Sequence, residues 1–201
     1  MENATIPLEE NTDALPSPAD YRSTLLQAYV EHLKQDQAAE LLDLGPVCEE
    51  NIMFFARQVK RHCACDMFIR LDRTLRKQLP LKQLWNHLDY ARQRFQGILL
   101  WDFIDHLDDN QVGDFLESCH RMLQPNAMMM ANTFEERSAP DFVYSYVIQD
   151  DYRIIFRQQQ HLDLPRHYRS NRELISLLAT FRLVKSFIYR NGVREFLFQR
   201  I

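Results

Sequence analysis

Hydrophobic and polar positions along the chain alternate between two periods. The spacing predicts a first helix opening at Ser17-Pro18-Ala19-Asp20, a hydroxyl cap, a proline and an acid in capping-box order, and running to about Gln37. Leu25, Leu26, Tyr29, Val30 and Leu33 share its apolar face. Residues 39–44 form a short apolar run stopped by Gly45-Pro46, which predicts a buried strand and a turn. A second helix is predicted over 48–61, with Ile52, Phe55, Ala56 and Val59 on one face and Glu49 and Glu50 at its positive end. Residues 64–70 read as a strand. Residues 73–94 read as basic helix broken at Pro80, with Leu81, Leu84, Trp85 and Leu88 inward.

The second half starts with a strand at Gly97–Asp102. Asp108 can cap the helix that follows, where Val112, Phe115, Leu116, Cys119 and Leu123 share a face. Pro125-Asn126 ends that helix, and 127–131 form a fourth strand. Residues 142–148 then alternate and 152–156 are strand-like, predicting a hairpin that turns near Asp150. Ser170-Asn171-Arg172-Glu173 opens a helix to about Thr180. Residues 182–190 and 193–200 flank Asn191-Gly192, which predicts a tight hairpin with positive φ at both central residues. Strand and helix alternate over 39–131, so a mostly parallel sheet covered by helices is expected, with an antiparallel hairpin closing one edge. Ligands in such sheets bind at the carboxyl ends of the strands, where strand order reverses.

Composition narrows the function classes. The 201 residues are 46% hydrophobic and 26% charged, which excludes a disordered or low-complexity chain. Residues 1–16, acidic and without a base, are expected to be a disordered tail, with the folded domain over 17–201. No apolar run is long enough to span a bilayer, and no export signal is visible, so the four cysteines are expected reduced and the protein cytoplasmic. The net charge of −4 makes nucleic acid a poor partner, although the four successive quarters of the chain carry −9, +7, −8 and +6.

An α/β core ending in a helix and a hairpin resembles the class I S-adenosylmethionine-dependent methyltransferases. Three segments carry the resemblance. Leu41-Leu42-Asp43-Leu44-Gly45 is similar to the family's first strand and the start of its glycine-rich loop. Phe95 to Asp102, followed by Phe103-Ile104-Asp105-His106-Leu107, is similar to its fourth strand and the turn after it. Helix 110–123 with Leu123-Gln124-Pro125-Asn126-Ala127 is similar to the step into its fifth strand. The resemblance implies a three-layer Rossmann-like fold, S-adenosylmethionine as cofactor, and methyl transfer to a small-molecule or other non-base substrate. It implies cofactor contacts at Asp43, Gly45, Asp72, Trp101 and Asp102, and a general base at Asp105 or His106.

The sequence departs from that family at the loop. Val47 and Glu49 stand where two further glycines are usual, so their side chains are expected in the cofactor's space. Alignment puts Arg70 where an acid usually holds the ribose, with Asp66 and Asp72 the nearest acids. Trp101-Asp102-Phe103-Ile104 lacks the motif of exocyclic base methylation. The alternative is therefore a methyltransferase fold that has lost transfer and serves as a binding or regulatory partner of another protein. Three plainer readings stand beside these. His62-Cys63-Ala64-Cys65-Asp66 has poor zinc spacing and reads as ordinary thiols. Met128-Met129-Met130 reads as core. Arg166-His167-Tyr168-Arg169 reads as a solvated loop, or as a contact for phosphate or an acidic substrate that closes over the site.

Overall fold

The computed structural model describes residues 18–201, so the expected tail and the cap at Ser17 lie outside the described residues. The main sheet has six strands in the order β3-β2-β4-β5-β9-β8. These are β2 (Glu40–Asp43), β3 (Arg61–Ala64), β4 (Phe95–Trp101), β5 (Leu123–Phe134), β8 (Phe181–Ile188) and β9 (Val193–Arg200). β3, β2, β4 and β5 pair in parallel, while β9 is antiparallel to both β5 and β8. The mostly parallel sheet with a C-terminal hairpin is as expected. A second, three-stranded sheet, β1-β7-β6, joins β1 (Tyr21–Arg22) to the hairpin of β6 (Tyr144–Ile148) and β7 (Arg153–Gln158).

Helix α1 (Thr24–Leu33) buries the predicted face, but its cap is Ser23 and it stops short of Gln37. Ser23 Oγ accepts the Leu26 amide at 2.9 Å and donates to the buried Glu195 carboxylate at 2.8 Å. Tyr21 and Tyr189 also donate to Glu195, at 2.7 and 3.0 Å, so one carboxylate ties α1 and β1 to the C-terminal hairpin. Helix α2 (Glu49–Ala56) is shorter than expected, and its inward face is Asn51, Phe54 and Phe55, with Ile52 exposed.

The expected strand at 64–70 is a correction. The strand is Arg61–Ala64, and Met67–Arg76 is helix α3, capped by Asp66 Oδ1 accepting the Ile69 amide at 2.9 Å. An edge strand needs little apolar content, so Arg61 and His62 hid it. The Met67-Phe68-Ile69 run belongs to a helix whose Met67, Phe68 and Leu71 are buried. Beyond Pro80 a 3-10 segment, Leu81–Leu88, buries Leu84 and Leu88. Helix α4 (Asp109–Met122) has the expected Asp108 capping box and passes directly into β5, so Pro125-Asn126 falls within the span of that strand, at an irregularity in its pairing with β4 where Asn126 has φ of +64°.

Helix α5 (Asn171–Leu177) starts at the predicted Ser170–Glu173 capping box. At the last hairpin only Gly192 has positive φ, +79°; Asn191 does not. Gly192 N–H bonds Tyr189 O and Tyr189 N–H bonds Val193 O, which makes a three-residue loop with the left-handed residue last. A side chain at Gly192 would also strike Ser138. Among the described residues no helix is long and apolar enough to cross a membrane.

The two serine caps make a test. Ser170→Ala removes an exposed cap and is expected to cost about 1 kcal/mol in urea unfolding. Ser23→Ala also strips a hydrogen bond from a buried carboxylate and is expected to cost about 2–3 kcal/mol. Equal losses at the two sites would refute the Glu195 anchor.

Candidate functional site

Strand order reverses between β2 and β4, and their carboxyl ends carry Asp43 and Trp101. The structure brings these two together. Asp43 Oδ1 accepts the Gly45 amide at 3.0 Å and the Trp101 indole N–H at 2.7 Å. Asp43 Oδ2 stands 3.4 Å from His62 Nε2. Trp101 has φ of +51°, in the left-handed region that bulky residues avoid, at a register shift in the β4–β5 pairing. A Cβ added at Gly45 would stand 2.5 Å from Trp101 Nε1 and closer still to Cδ1. The absence of a side chain at Gly45 is therefore used by Trp101.

Tyr146 of β6 stacks on the same indole, with centroids 5.0 Å apart and planes at 21°. Asn51 of α2 holds β6 there, donating to Tyr146 O at 2.8 Å and accepting from Ile148 N at 2.9 Å. Trp101 and Tyr146 are 2% and 1% exposed, so the crevice between β2 and β4 is filled with aromatic side chains. Val47 and Glu49 were expected to fill it, but both are exposed. Tyr146 and Asn51 carried no sequence signal for this role, beyond Tyr146 falling on an alternating strand.

Two further expectations are corrected. Asp72 lies in α3, where it accepts from Arg76 at 2.8 Å and from the Asp163 amide at 3.3 Å, so it is not at a strand end. Arg70 is likewise in α3, against His87 at 2.9 Å. The acid that follows β3 is Asp66, whose Oδ2 accepts the Val47 amide at 3.3 Å and whose pKa burial raises.

The turn after β4 gathers Asp102, Asp105 and His106, each about 1% exposed. Arg166 lies between the carboxylates, with Nη1 3.2 Å from Asp102 Oδ2 and 3.8 Å from Asp105 Oδ2. His106 Nδ1 is 2.7 Å from the Pro165 carbonyl, which requires the proton on Nδ1. Its Nε2 has no hydrogen-bond partner among the described residues, and neither do Asp102 Oδ1 and Asp105 Oδ1. Burial raises the Asp102 carboxyl, but His106 and Arg166 outweigh it, and the net direction is downward. Burial, with neighbouring Asp102, pushes Asp105 up to about 7. The two expected acid–base residues thus stand side by side but sealed from solvent.

The seal is the segment 163–170. His167 N–H bonds Asp105 O at 2.6 Å, and Arg169 donates to Ile104 O at 2.9 Å, Leu107 O at 2.6 Å and Asp109 at 2.9 Å. Arg166 and Arg169, expected in a solvated or ligand-facing loop, are turned inward as fasteners. Among the described residues no group of three or more His, Cys, Asp or Glu is set to hold a metal ion.

Comparison with solved structures places this architecture. A methyltransferase from Mesorhizobium loti superposes with a TM-score of 0.56 at 12% identity, over 87% of this chain and 96% of that one. One from Aquifex aeolicus gives 0.55 at 12%, over 87% and 89%. The Burkholderia thailandensis 1,6-didemethyltoxoflavin-N1-methyltransferase, solved with S-adenosylhomocysteine, gives 0.51 at 19%, over 87% and 77%. The fold is that of the class I S-adenosylmethionine-dependent methyltransferases. No protein-family model and no curated protein matches the chain. On this fold the switch point is taken by the Trp101 indole, which lies against Gly45 and uses the Asp43 carboxylate.

Two measurements test the site. Gly45→Ala should destabilise the protein by about 1–3 kcal/mol through overpacking, and that cost should shrink in a Trp101→Ala background. An undiminished cost in the double variant would disconnect the two residues. The second test concerns Asp105. Its folded pKa is raised, so between about pH 4 and 7 the folded state holds a proton that the unfolded state has lost. Asp105 therefore lowers stability as pH rises through that window, by at most about 1.4 kcal/mol per pH unit. Asp105→Asn should flatten the fall in unfolding free energy between pH 5 and 7. An unchanged slope would remove Asp105 from the buried titration.

Proposed function

We propose that this chain is a methyltransferase-fold protein that does not transfer methyl groups and works as a binding or regulatory partner of another protein. The observation that carries the reading is the indole of Trp101, hydrogen-bonded to Asp43 and lying against Gly45. A cofactor approaching the loop would have to expel a buried Trp101–Tyr146 stack and break the bond to Asp43. The four cysteines are unbridged, which fits a reducing, cytoplasmic setting.

A second reading has one observation of its own. The left-handed φ of Trp101 is a strained state, and strain of this kind clusters at groups that switch. A Trp101 that swings out would open the crevice, leaving Asp105 and His106 as the nearest candidate bases for methyl transfer to a small non-base molecule.

Thermal unfolding with S-adenosylmethionine and with S-adenosylhomocysteine, checked by calorimetry, separates the two. A ligand at about 100 times its dissociation constant stabilises a fold by about 2.7 kcal/mol. The expected result is no shift and no heat for the wild type at millimolar ligand. Binding by Trp101→Ala alone would identify the indole as the block. A clear shift of the wild type with both ligands would overturn the proposal and establish the second reading.

A further inference from the structure

The opposite end of the sheet carries a different chemistry. Arg92 and Gln93 precede β4, Glu117, Ser118, His120 and Arg121 lie in the last turns of α4, and Arg200 ends β9; together they line a cleft of about 560 Å³. From this cleft we infer a binding site for a small phosphate-bearing anion, gripped by Arg92, Arg121 and Arg200. This inference is independent of the state of the cofactor crevice.

Charge is the first argument. Among the described residues none of Arg92, Arg121 and Arg200 has a carboxylate within 4.0 Å. Three guanidinium groups around one concavity repel one another unless an anion joins them. Glu117 is the one acid in the lining, and it is exposed.

Geometry is the second. Arg200 is aimed by two bonds, from Nη1 to Leu123 O and from Nε to His120 Nε2, the latter at 3.4 Å. Arg121 Nη2 reaches Leu88 O at 3.4 Å, which leaves its other donors free. Among the described residues Arg92 makes no side-chain hydrogen bond, and its side chain can close on a ligand. Cations also gather at helix C-termini to satisfy the dipole. Here the carbonyls at the end of α4 are already engaged, Arg121 O by Gln93 N at 3.0 Å and Met122 O by Arg94 N at 2.8 Å, with Leu123 O taken by Arg200. Arg92 moreover comes from the segment before β4 and bonds none of these carbonyls among the described residues, so the helix end does not account for it.

The class of ligand follows from the forks. A phosphate presents three oxygens and can serve three guanidinium groups, whereas a carboxylate presents two. The cleft volume falls within the range of small-molecule sites, about 300–1,000 Å³.

The test is titration calorimetry of the full chain with inorganic pyrophosphate at constant ionic strength. Saturable binding at one site is expected. Arg92→Gln and Arg121→Gln should each weaken it by about tenfold or more. Arg73→Gln, which removes the same charge from an exposed position on α3, should leave it unchanged, and acetate should not compete. Arg92 supports no other group, so its variant is expected to fold as the wild type does. Absence of saturable binding, binding indifferent to Arg92→Gln and Arg121→Gln, or equal weakening by Arg73→Gln would each overturn the inference.

Discussion

The hydrogen bond from the Trp101 indole to Asp43 holds the carboxyl end of the sheet together. It joins the tips of β2 and β4, the two parallel strands between which strand order reverses. One Asp43 oxygen also takes the Gly45 amide, so the loop after β2 is fixed by the same group. A left-handed tryptophan costs about 1–3 kcal/mol of backbone strain. Burying its ring and satisfying its N–H recovers more than that, provided the indole has somewhere flat to lie. Gly45 on one side and Tyr146 on the other provide it. The hairpin carrying Tyr146 is held by Asn51, whose amide pairs with both Tyr146 and Ile148 as a neighbouring strand would. The smaller sheet is thus docked over the larger one through that crevice.

The turn after β4 obeys a different constraint. Two carboxylates within one buried turn cannot both ionise cheaply. Arg166 stands between them, and the result is asymmetric: Asp102 is held down and Asp105 is pushed up to about 7. Burying such ions is costly, and the compensation comes from the Arg166 guanidinium and from the Phe134 amide of β5, which donates to Asp105 Oδ2 at 3.3 Å, while the strap at 163–170 is fastened to the turn by bonds of its own. His106 binds Pro165 O, Asp105 O takes the His167 amide, and Arg169 bridges two carbonyls of the turn. The strap and the turn are therefore mutually dependent, and Asp102, Asp105 and Arg169 are all withdrawn from solvent.

Much of this fold was legible in the residues. The α1 stripe, the Asp108 and Ser170 capping boxes, the strands at 40–43 and 95–101 and the last hairpin follow from local patterns that tertiary structure did not oppose. The edge strand Arg61–Ala64 was not legible, because a strand with one neighbour and exposed ends needs no apolar signature. The turn at Asn191-Gly192 was misjudged in type, since the same dipeptide serves a three-residue loop. At the site, Asp43, Gly45, Trp101 and Asp102 do fall at the strand ends. What they do there depends on a single dihedral, the φ of Trp101, which no spacing encodes. Asp72 was misplaced because the helix following β3 begins earlier than its apolar run suggests.

The two ends of the sheet now differ in kind. At the carboxyl end charged groups are buried, matched and covered, while at the amino end Arg92, Arg121 and Arg200 surround an open cleft without a carboxylate partner. A parallel sheet favours ligands at its carboxyl end because helix N-termini and loops converge there. Here a tryptophan occupies the switch point and a strap covers the turn. The alternating charge blocks of the sequence are divided accordingly. The acids of the third quarter, Asp102 and Asp105, are buried against Arg166 of the fourth. Among the described residues Arg92 of the second and Arg200 of the fourth have no carboxylate within 4.0 Å, although they face one cleft.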